Sequence, residues 1–305
     1  MTKHQTNVLT NLRYADGAAG DLKLDLYTPE SSQPAPVLIY LHGGAWITGR
    51  RDETPNRLHH LAAHGIAVTS IDYDFVQDAP FPAQLNNITA AVTWVKANAD
   101  EHNLDPERIA LGGASAGGYL ATISALLLTD KTAAAESGTD ADIGAIVALF
   151  TNFDLTSARP KPVPNSGFTV PAFIANSPVP AYFGGTPPTP ARRQALLAGV
   201  PEEELNDEIL AGLSPMDRLH ANTPPLLIMH GTADGVAPVA QSINFHDRAQ
   251  RLGLQAELKL LDGANHEGPE FDTPETAECI AAFLHRALPA GTAASHNLQP
   301  TTTHE

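Results

Sequence analysis

The chain holds a single cysteine, Cys279, in 305 residues, so it cannot form an intramolecular disulfide. Exported domains commonly rely on such staples, and their lack points to a reducing, cytoplasmic setting. Positive charge is scarce too. Lysine and arginine number 18 against 34 acidic residues, a formal net charge of −16. Nucleic acids and anionic membranes both require a basic face, so neither is expected as a partner. No apolar run reaches the roughly 18 residues needed to span a bilayer. The opening residues, Met1 to Asn7, have no apolar signal core, which predicts no export. There is no glycine-rich phosphate or dinucleotide loop. His59, His60 and His64 fall on one predicted exposed helix without cysteines or clustered carboxylates at ligand spacing, so neither a metal nor another cofactor is expected. What remains is 43% apolar and 17% charged residues, the composition of a globular protein with a large core.

What is present centres on residues 108–120. The apolar run Ile109 to Leu111 reads as a buried strand, and Leu120 to Leu128 reads as a helix. Between them lies Gly113-Ala114-Ser115-Ala116-Gly117. A strand, an abrupt turn and a helix are the context of a nucleophile elbow, in which the serine sits in a strained backbone conformation. Side chains at Gly113 or Gly117 would collide with the adjoining strand or helix. The helix start directs its N–H groups at a place where negative charge would develop in acyl transfer.

The rest of the chain supplies an α/β frame. Two alternating segments, Asn7–Tyr14 and Leu22–Tyr27, predict an antiparallel hairpin at a sheet edge. Val37–Leu41, Ile66–Ile71, Ile143–Phe150, Pro225–His230 and Ala256–Leu261 predict further strands. Helical patterns lie between them, over 55–64, from Ala79 through Val95, over 239–252 and over 274–288. Strand–helix alternation implies a mostly parallel sheet with helices on both faces. Residues 152–222 break the alternation and carry nine prolines between Pro160 and Pro190. Phe153, Phe168, Phe173, Tyr182 and Phe183 make this stretch too apolar for a linker, so it is read as an embedded lid, with a short helix over 202–213. The expected organisation is one domain over 1–289 and a disordered tail over 290–305.

In parallel α/β sheets, functional groups gather on loops at the C-terminal strand ends. Three such loops carry Ser115, Asp234 and His266, in that order. A serine hydroxyl needs a base to become nucleophilic, an imidazole can serve, and a carboxylate orients the imidazole. His230 precedes Asp234 in the same loop, His220 falls before the strand and His285 sits in the last helix, so His266 is the expected base. Asp262 is an alternative orienting acid. After the strand ending at Leu41 comes His42-Gly43-Gly44-Ala45-Trp46. Gly44 and Ala45, with Ala116, are the expected oxyanion donors. Gly43 is expected to give this loop its freedom, and Trp46 to line the substrate pocket or, equally compatible, to pack under the lid.

These motifs resemble those of α/β-hydrolase-fold esterases, in particular the BD-FAE-like (acetyl/feruloyl esterase) and hormone-sensitive-lipase-like carboxylesterase groups. The matching residues are His42 to Trp46, Ala79-Pro80-Phe81-Pro82-Ala83, Asp105 to Ile109, Gly113 to Gly118, His230-Gly231-Thr232-Ala233-Asp234, and Gly263 to His266. Two positions depart from the pattern. The usual Asp-Tyr-Arg is Asp72-Tyr73-Asp74, which puts an anion near the expected site, and His-Gly-Gly-Gly is His42-Gly43-Gly44-Ala45. The second departure favours the BD-FAE side. The resemblance implies a serine esterase working through an acyl-enzyme on a small-molecule ester, and the apolar, proline-rich lid over 152–222 predicts a short acyl chain. The pairing His-Gly-Gly-x-Trp also resembles kynurenine formamidase, which implies an amide hydrolase with the same triad. The His230 loop resembles prolyl-oligopeptidase-type peptidases, for whose propeller domain the chain has no room. An inactive hydrolase-fold binding protein is the reading of a different class.

Overall fold

In a computed structural model of the protein the described residues are 4–131, 142–157 and 190–290. The proline-rich part of the expected lid, 158–189, and the expected tail from residue 291 lie outside them. The two alternating segments form a hairpin longer than predicted, β1 (Thr6–Gly17) and β2 (Gly20–Pro29). The apolar runs become β3 (Ala35–Leu41), β4 (Ala67–Ile71), β5 (Leu104–Ala114), β6 (Ala145–Leu149), β7 (Leu226–Gly231) and β8 (Ala256–Leu261). They form one eight-stranded sheet in the order β1-β2-β4-β3-β5-β6-β7-β8. The pairs β1/β2 and β2/β4 are antiparallel, and every later pair is parallel.

Helices follow the strands: α1 (Pro55–Ala63), α2 (Ala83–Ala97), α3 (Ala99–His102), α4 (Ala116–Thr129), α5 (Pro190–Ala198), α6 (Asp207–Gly212), α7 (Ala240–Arg251) and α8 (Pro274–Ala287). Side chains of a strand alternate between faces, and here both faces are covered. Val37, Ile39 and Leu41 of β3 pack in one core with Ile88 and Val92 of α2 and Phe245 of α7. Leu38 and Tyr40 pack in the other with Leu58 and Leu61 of α1 and Leu284 of α8. Each fully buried leucine or isoleucine in these layers contributes about 1.5–3 kcal/mol of transfer free energy.

Four expectations change. Strand β5 begins at Leu104, because the backbone stays extended through Pro106 and pairs with Ala35. Helix α2 starts at Ala83 rather than Ala79, after Pro80 and Pro82. Residues 202–213 divide into a 3-10 turn, Glu202–Glu204, and α6, whose start is capped by Asn206 Oδ1 accepting from Ile209 N at 3.0 Å. Helix α1 is exposed on one face only: His59 faces solvent, while Arg57, 1% exposed, and the capping His64, 6% exposed, are buried where the helix packs against the sheet and α8. The Arg57 guanidinium is accommodated by Tyr40 Oη at 2.5 Å, by Asp272 at 2.9 Å and by the Tyr40 and Phe150 rings beneath it.

Asp74, the acid in place of a familial arginine, faces the hairpin. Its Oδ1 accepts from Ala18 N at 2.7 Å and its Oδ2 from Asn87 Nδ2 at 3.1 Å, tying the β1–β2 turn to α2. Arg51 makes a second tie. It donates to Asp25, Asp72 and Asn11, anchoring the loop after β3 to the hairpin. Within that loop His42 is buried, stacks on Tyr73 at 4.5 Å and donates from Nδ1 to Gly43 O at 2.6 Å. Burial pushes its pKa down to about 4, from 6.5.

Two stability predictions follow from this packing. A Cβ at Gly117 would overlap the carbonyl oxygens of Leu41 and His42, which are backbone atoms with no room to move, whereas one at Gly253 meets nothing. Gly117→Ala should therefore cost more than about 3 kcal/mol. Gly253→Ala should cost only the left-handed strain of about 1–2 kcal/mol. Urea unfolding of the two variants checks both. The His42 shift has a definite sign: between pH 6.5 and about 4 only the unfolded chain binds this proton, so its contribution falls as pH falls through that window. His42→Asn, which keeps a donor for Gly43 O, should flatten the acid limb of unfolding free energy between those values.

Candidate active site

Three strand ends converge on Ser115. The serine ends β5 with φ 52° and ψ −118°, a region that L-residues avoid. Neighbours on both sides hold it there. Its N–H donates to Leu149 O of β6 at 2.9 Å, and its carbonyl accepts from Thr151 Oγ1 at 2.5 Å. The glycines serve as the sequence implies: a Cβ at Gly113 would strike Leu41 O and the Gly117 backbone.

The loop after β7 carries Asp234 and the loop after β8 carries His266. His266 Nε2 lies 3.0 Å from Ser115 Oγ, and its Nδ1 lies 2.8 Å from Asp234 Oδ2. With Nδ1–H donating to the carboxylate, Nε2 presents its lone pair to the serine hydroxyl. The Phe150 ring meets the imidazole edge-on at 4.9 Å, with planes 73° apart, and so limits its rotation. Asn265 Oδ1 accepts from both Gly235 N and His266 N, at 3.1 and 2.8 Å, which clamps the two loops together. Asp262 lies apart from this line. It is exposed, and its carboxylate accepts from Thr232 Oγ1 at 3.2 Å.

Burial by itself would raise the Asp234 pKa. Hydrogen bonds from His230, His266 and the Val236 amide outweigh it and hold the carboxyl well below the usual range. The acid is therefore an anion throughout the neutral range. His230 had been set aside on sequence order; its Nε2 is 3.0 Å from Asp234 Oδ2.

The loop after β3 lies beside the serine. Gly44, Ala45 and Trp46 all have positive φ, at 119°, 54° and 65°. At Gly44 a side chain would overlap the Thr48 carbonyl, so only glycine fits. Gly43 is different. Its φ is not left-handed, and a Cβ there would sit in ordinary contact, 3.4 Å from Ala114 O and 3.5 Å from Ser115 Cβ, so neither backbone nor space demands glycine, contrary to the freedom expected of it. The N–H groups of Gly44, Ala45 and Ala116 donate to no acceptor among the described residues, the condition for binding an incoming oxyanion. Trp46 is 6% exposed and packs edge-on to Tyr119 at 5.3 Å. Its indole N–H is buried without a partner among the described residues. Among these residues no group of three or more histidine, cysteine or acidic side chains is arranged to hold a metal ion, and no helix is long and apolar enough to cross a membrane.

The clamp by Asn265, the anchor by Thr151 and the ring of Phe150 were missed by sequence reasoning. Asn265 carried a signal, since it precedes the expected base in a glycine-flanked loop. Thr151 and Phe150 follow an ordinary buried strand and carried none.

The BD-FAE family model matches residues 24–249. Esterase LipC of Mycobacterium tuberculosis is 30% identical over 93% of this chain and 65% of its own length. The probable carboxylic ester hydrolase LipM of the same organism is 27% identical over 82% of this chain and 54% of its own. The chain thus spans less than two thirds of the length of either relative. An acetyl esterase of Salmonella schwarzengrund is 40% identical over a shorter stretch, 37% of this chain and 35% of its own. Among solved structures, a truncated carbohydrate esterase from gut microbiota superposes with a TM-score of 0.71 at 22% identity, covering 95% of this chain and 98% of that one. The butyrate-bound esterase Est2 of Thermogutta terrifontis gives 0.67 at 22% identity, with 93% and 96% covered. These likenesses are of fold, and the fold is that of the α/β-hydrolases. The sheet order, the elbow and the family match over most of the sequence agree: the chain belongs to the BD-FAE family.

Proposed function

We propose that the protein is a serine carboxylic-ester hydrolase that works through an acyl-enzyme on short-acyl esters. The observation that carries this is the unbroken line from Ser115 Oγ through His266 to Asp234, at 3.0 and 2.8 Å. Ser115 Oγ attacks the ester carbonyl carbon as its proton passes to His266 Nε2. The carbonyl oxygen takes up the electron pair and the N–H groups of Gly44, Ala45 and Ala116 receive it. Collapse of this intermediate breaks the bond to the alcohol oxygen, which takes the proton from His266. Water then attacks the acyl-enzyme, again giving its proton to His266, and the acid leaves as Ser115 is restored. Asp234 stays ionised throughout and stabilises the imidazolium. The names of the mycobacterial relatives support ester hydrolysis. The Salmonella acetyl esterase and the butyrate held by Est2 support a short acyl group. Trp46, whose indole packs edge-on to the buried Tyr119, is the proposed wall of the acyl site.

Ser115→Ala should stay folded and lose about 10⁴-fold or more in kcat. His266→Ala should cost about as much, and the double variant little more, because the triad acts as a unit. Asp234→Asn should lose on the order of 10⁴-fold, and Asp262→Asn should remain near the parent. Steady-state hydrolysis of p-nitrophenyl acetate measures all four. Full activity in Ser115→Ala would exclude the mechanism, and a reversal between the two aspartates would move the acid to Asp262.

In an acyl series, kcat/KM should climb from two carbons, by up to about 0.8 kcal/mol per buried methylene, and then fall abruptly beyond about six. Emulsified long-chain triglyceride turned over faster than a dissolved butyrate ester would refute the acyl preference. EDTA should leave the rate unchanged, and collapse on chelation would contradict a metal-free serine mechanism.

A further inference from the structure

The Asp234 carboxylate accepts three N–H groups and has a fourth nitrogen, His230 Nε2, within 3.0 Å. Val236 and Ala237 amides reach Oδ1 at 2.8 and 2.9 Å. His266 Nδ1 at 2.8 Å and His230 Nε2 at 3.0 Å share Oδ2. His230 belongs to no part of the proposed proton path, yet it is 0% exposed and is the penultimate residue of the apolar strand β7. A polar ring at that depth is costly unless its nitrogens are paired, and its pairings are specific. Nε2 faces the Ala237 carbonyl and the Asp234 carboxylate, both at 3.0 Å. Neither oxygen can donate, so Nε2 carries the hydrogen. Nδ1 lies 2.6 Å from Ser242 Oγ in the first turn of α7. A neutral imidazole satisfies the whole set, with the Ser242 hydroxyl donating to Nδ1 and Nε2–H shared between the two oxygens. The strand before the acid loop and the helix after it are thereby joined through a side chain that ends on the acid itself.

We propose that His230, held by Ser242, is a positioning residue that fixes Asp234 Oδ2 opposite His266. The role rests on the proposed ester hydrolysis and deepens it. Each donor to a carboxylate favours its anionic form. With His230 absent, Oδ2 would have His266 as its one donor. The carboxyl would be freer to turn about its Cβ–Cγ bond, and its stronger basicity would draw the Nδ1 proton away from His266 when the imidazolium forms. With His230 present, the proton taken from Ser115 stays on His266 Nε2, from which the leaving alcohol receives it, and Nδ1 keeps its own.

The test uses the full chain, p-nitrophenyl acetate turnover and labelling by a fluorophosphonate. His230→Phe should lower kcat by about 10- to 100-fold, the effect of one lost charge-assisted hydrogen bond. KM should move by less than about threefold, since substrate binding is untouched. His230→Gln, whose amide N–H falls near the place of Nε2, should recover most of the loss. Ser242→Ala should lower kcat in the same direction by a smaller factor. In an Asp234→Asn background, His230→Phe should cost no more than about twofold further, because its effect runs through the missing carboxylate. A role in packing alone predicts the opposite, an additive loss in that background and no rescue by glutamine, and either result overturns the proposal. So does a His230→Phe rate within about twofold of the parent. Should His230→Phe fail to fold, as seen by its thermal melt, Ser242→Ala decides: an unchanged kcat overturns the proposal. If the parent is neither labelled at Ser115 nor active on the ester, the ester-hydrolase reading fails and takes the proposal with it. If the parent is labelled and active while the His230 and Ser242 variants match it, the proposal alone falls.

Discussion

The geometry of the site depends on one unfavourable residue, Ser115 at φ 52°. Left-handed backbone costs an L-residue about 1–2 kcal/mol, so this conformation persists only because its surroundings leave no other. Above it the backbone of β3 and the start of α4 approach so closely that Gly113 and Gly117 have no space for a methyl group. Beside it, β6 accepts the Ser115 N–H and Thr151 donates to its carbonyl. The two cores provide the restraining force. Each strand of the parallel block feeds apolar side chains to both faces, and the strain is small against that burial.

The same arrangement brings the other groups into range. Strands β5, β6, β7 and β8 run parallel, so the segments after them emerge at one edge. Chain connectivity fixes which edge but not the last few ångströms. Those are set by short-range hydrogen bonds between loops, above all Asn265 Oδ1 gripping the backbone of both the acid and the base loop. The carboxylate of Asp234 is held in turn by two amides of its own loop. Precision at the site thus comes from saturated polar contacts, and the sheet delivers those contacts to each other.

Much of this was legible in the sequence where a pattern has a single physical explanation. Continuous apolar runs such as Val37–Leu41 can be buried on both faces and little else, and they are strands. The proposed triad could be read from order and placement on strand ends, and the structure puts His266 within hydrogen-bond distance of both Ser115 and Asp234. Where several environments suit one residue, the sequence was mute. Helix α1 reads as an exposed helix, yet Arg57 is buried because aromatic rings and Asp272 surround it from elsewhere in the chain. Asp74 read as an acid near chemistry and is spent instead on an amide in the hairpin turn and on Asn87. His230 lost to His266 on chain order. Chain order does not show that its Nε2 turns back, within the same strand and loop, to the carboxylate oxygen that His266 meets from the loop after β8.

The back wall of His266 shows how such long-range placement extends from the core to the site. Phe150, just past β6, has φ 37°, a second left-handed residue one strand away from Ser115. That turn lets its N–H donate to Met229 O at 2.7 Å and swings the ring between His266 and Phe271. The Arg57 guanidinium lies 5.8 Å from the same ring, and Phe271 supplies its carbonyl to Arg57 Nε at 3.3 Å. Helix α1, which contributes no group to the proposed reaction, therefore bears on the imidazole through one aromatic ring. A cation over a ring face is attracted to its quadrupole and disfavours sliding of the ring. The buried arginine is compensated by Tyr40, Asp272 and the Phe271 carbonyl, and the rotational freedom of the proposed base is limited from a helix more than two hundred residues away in the chain.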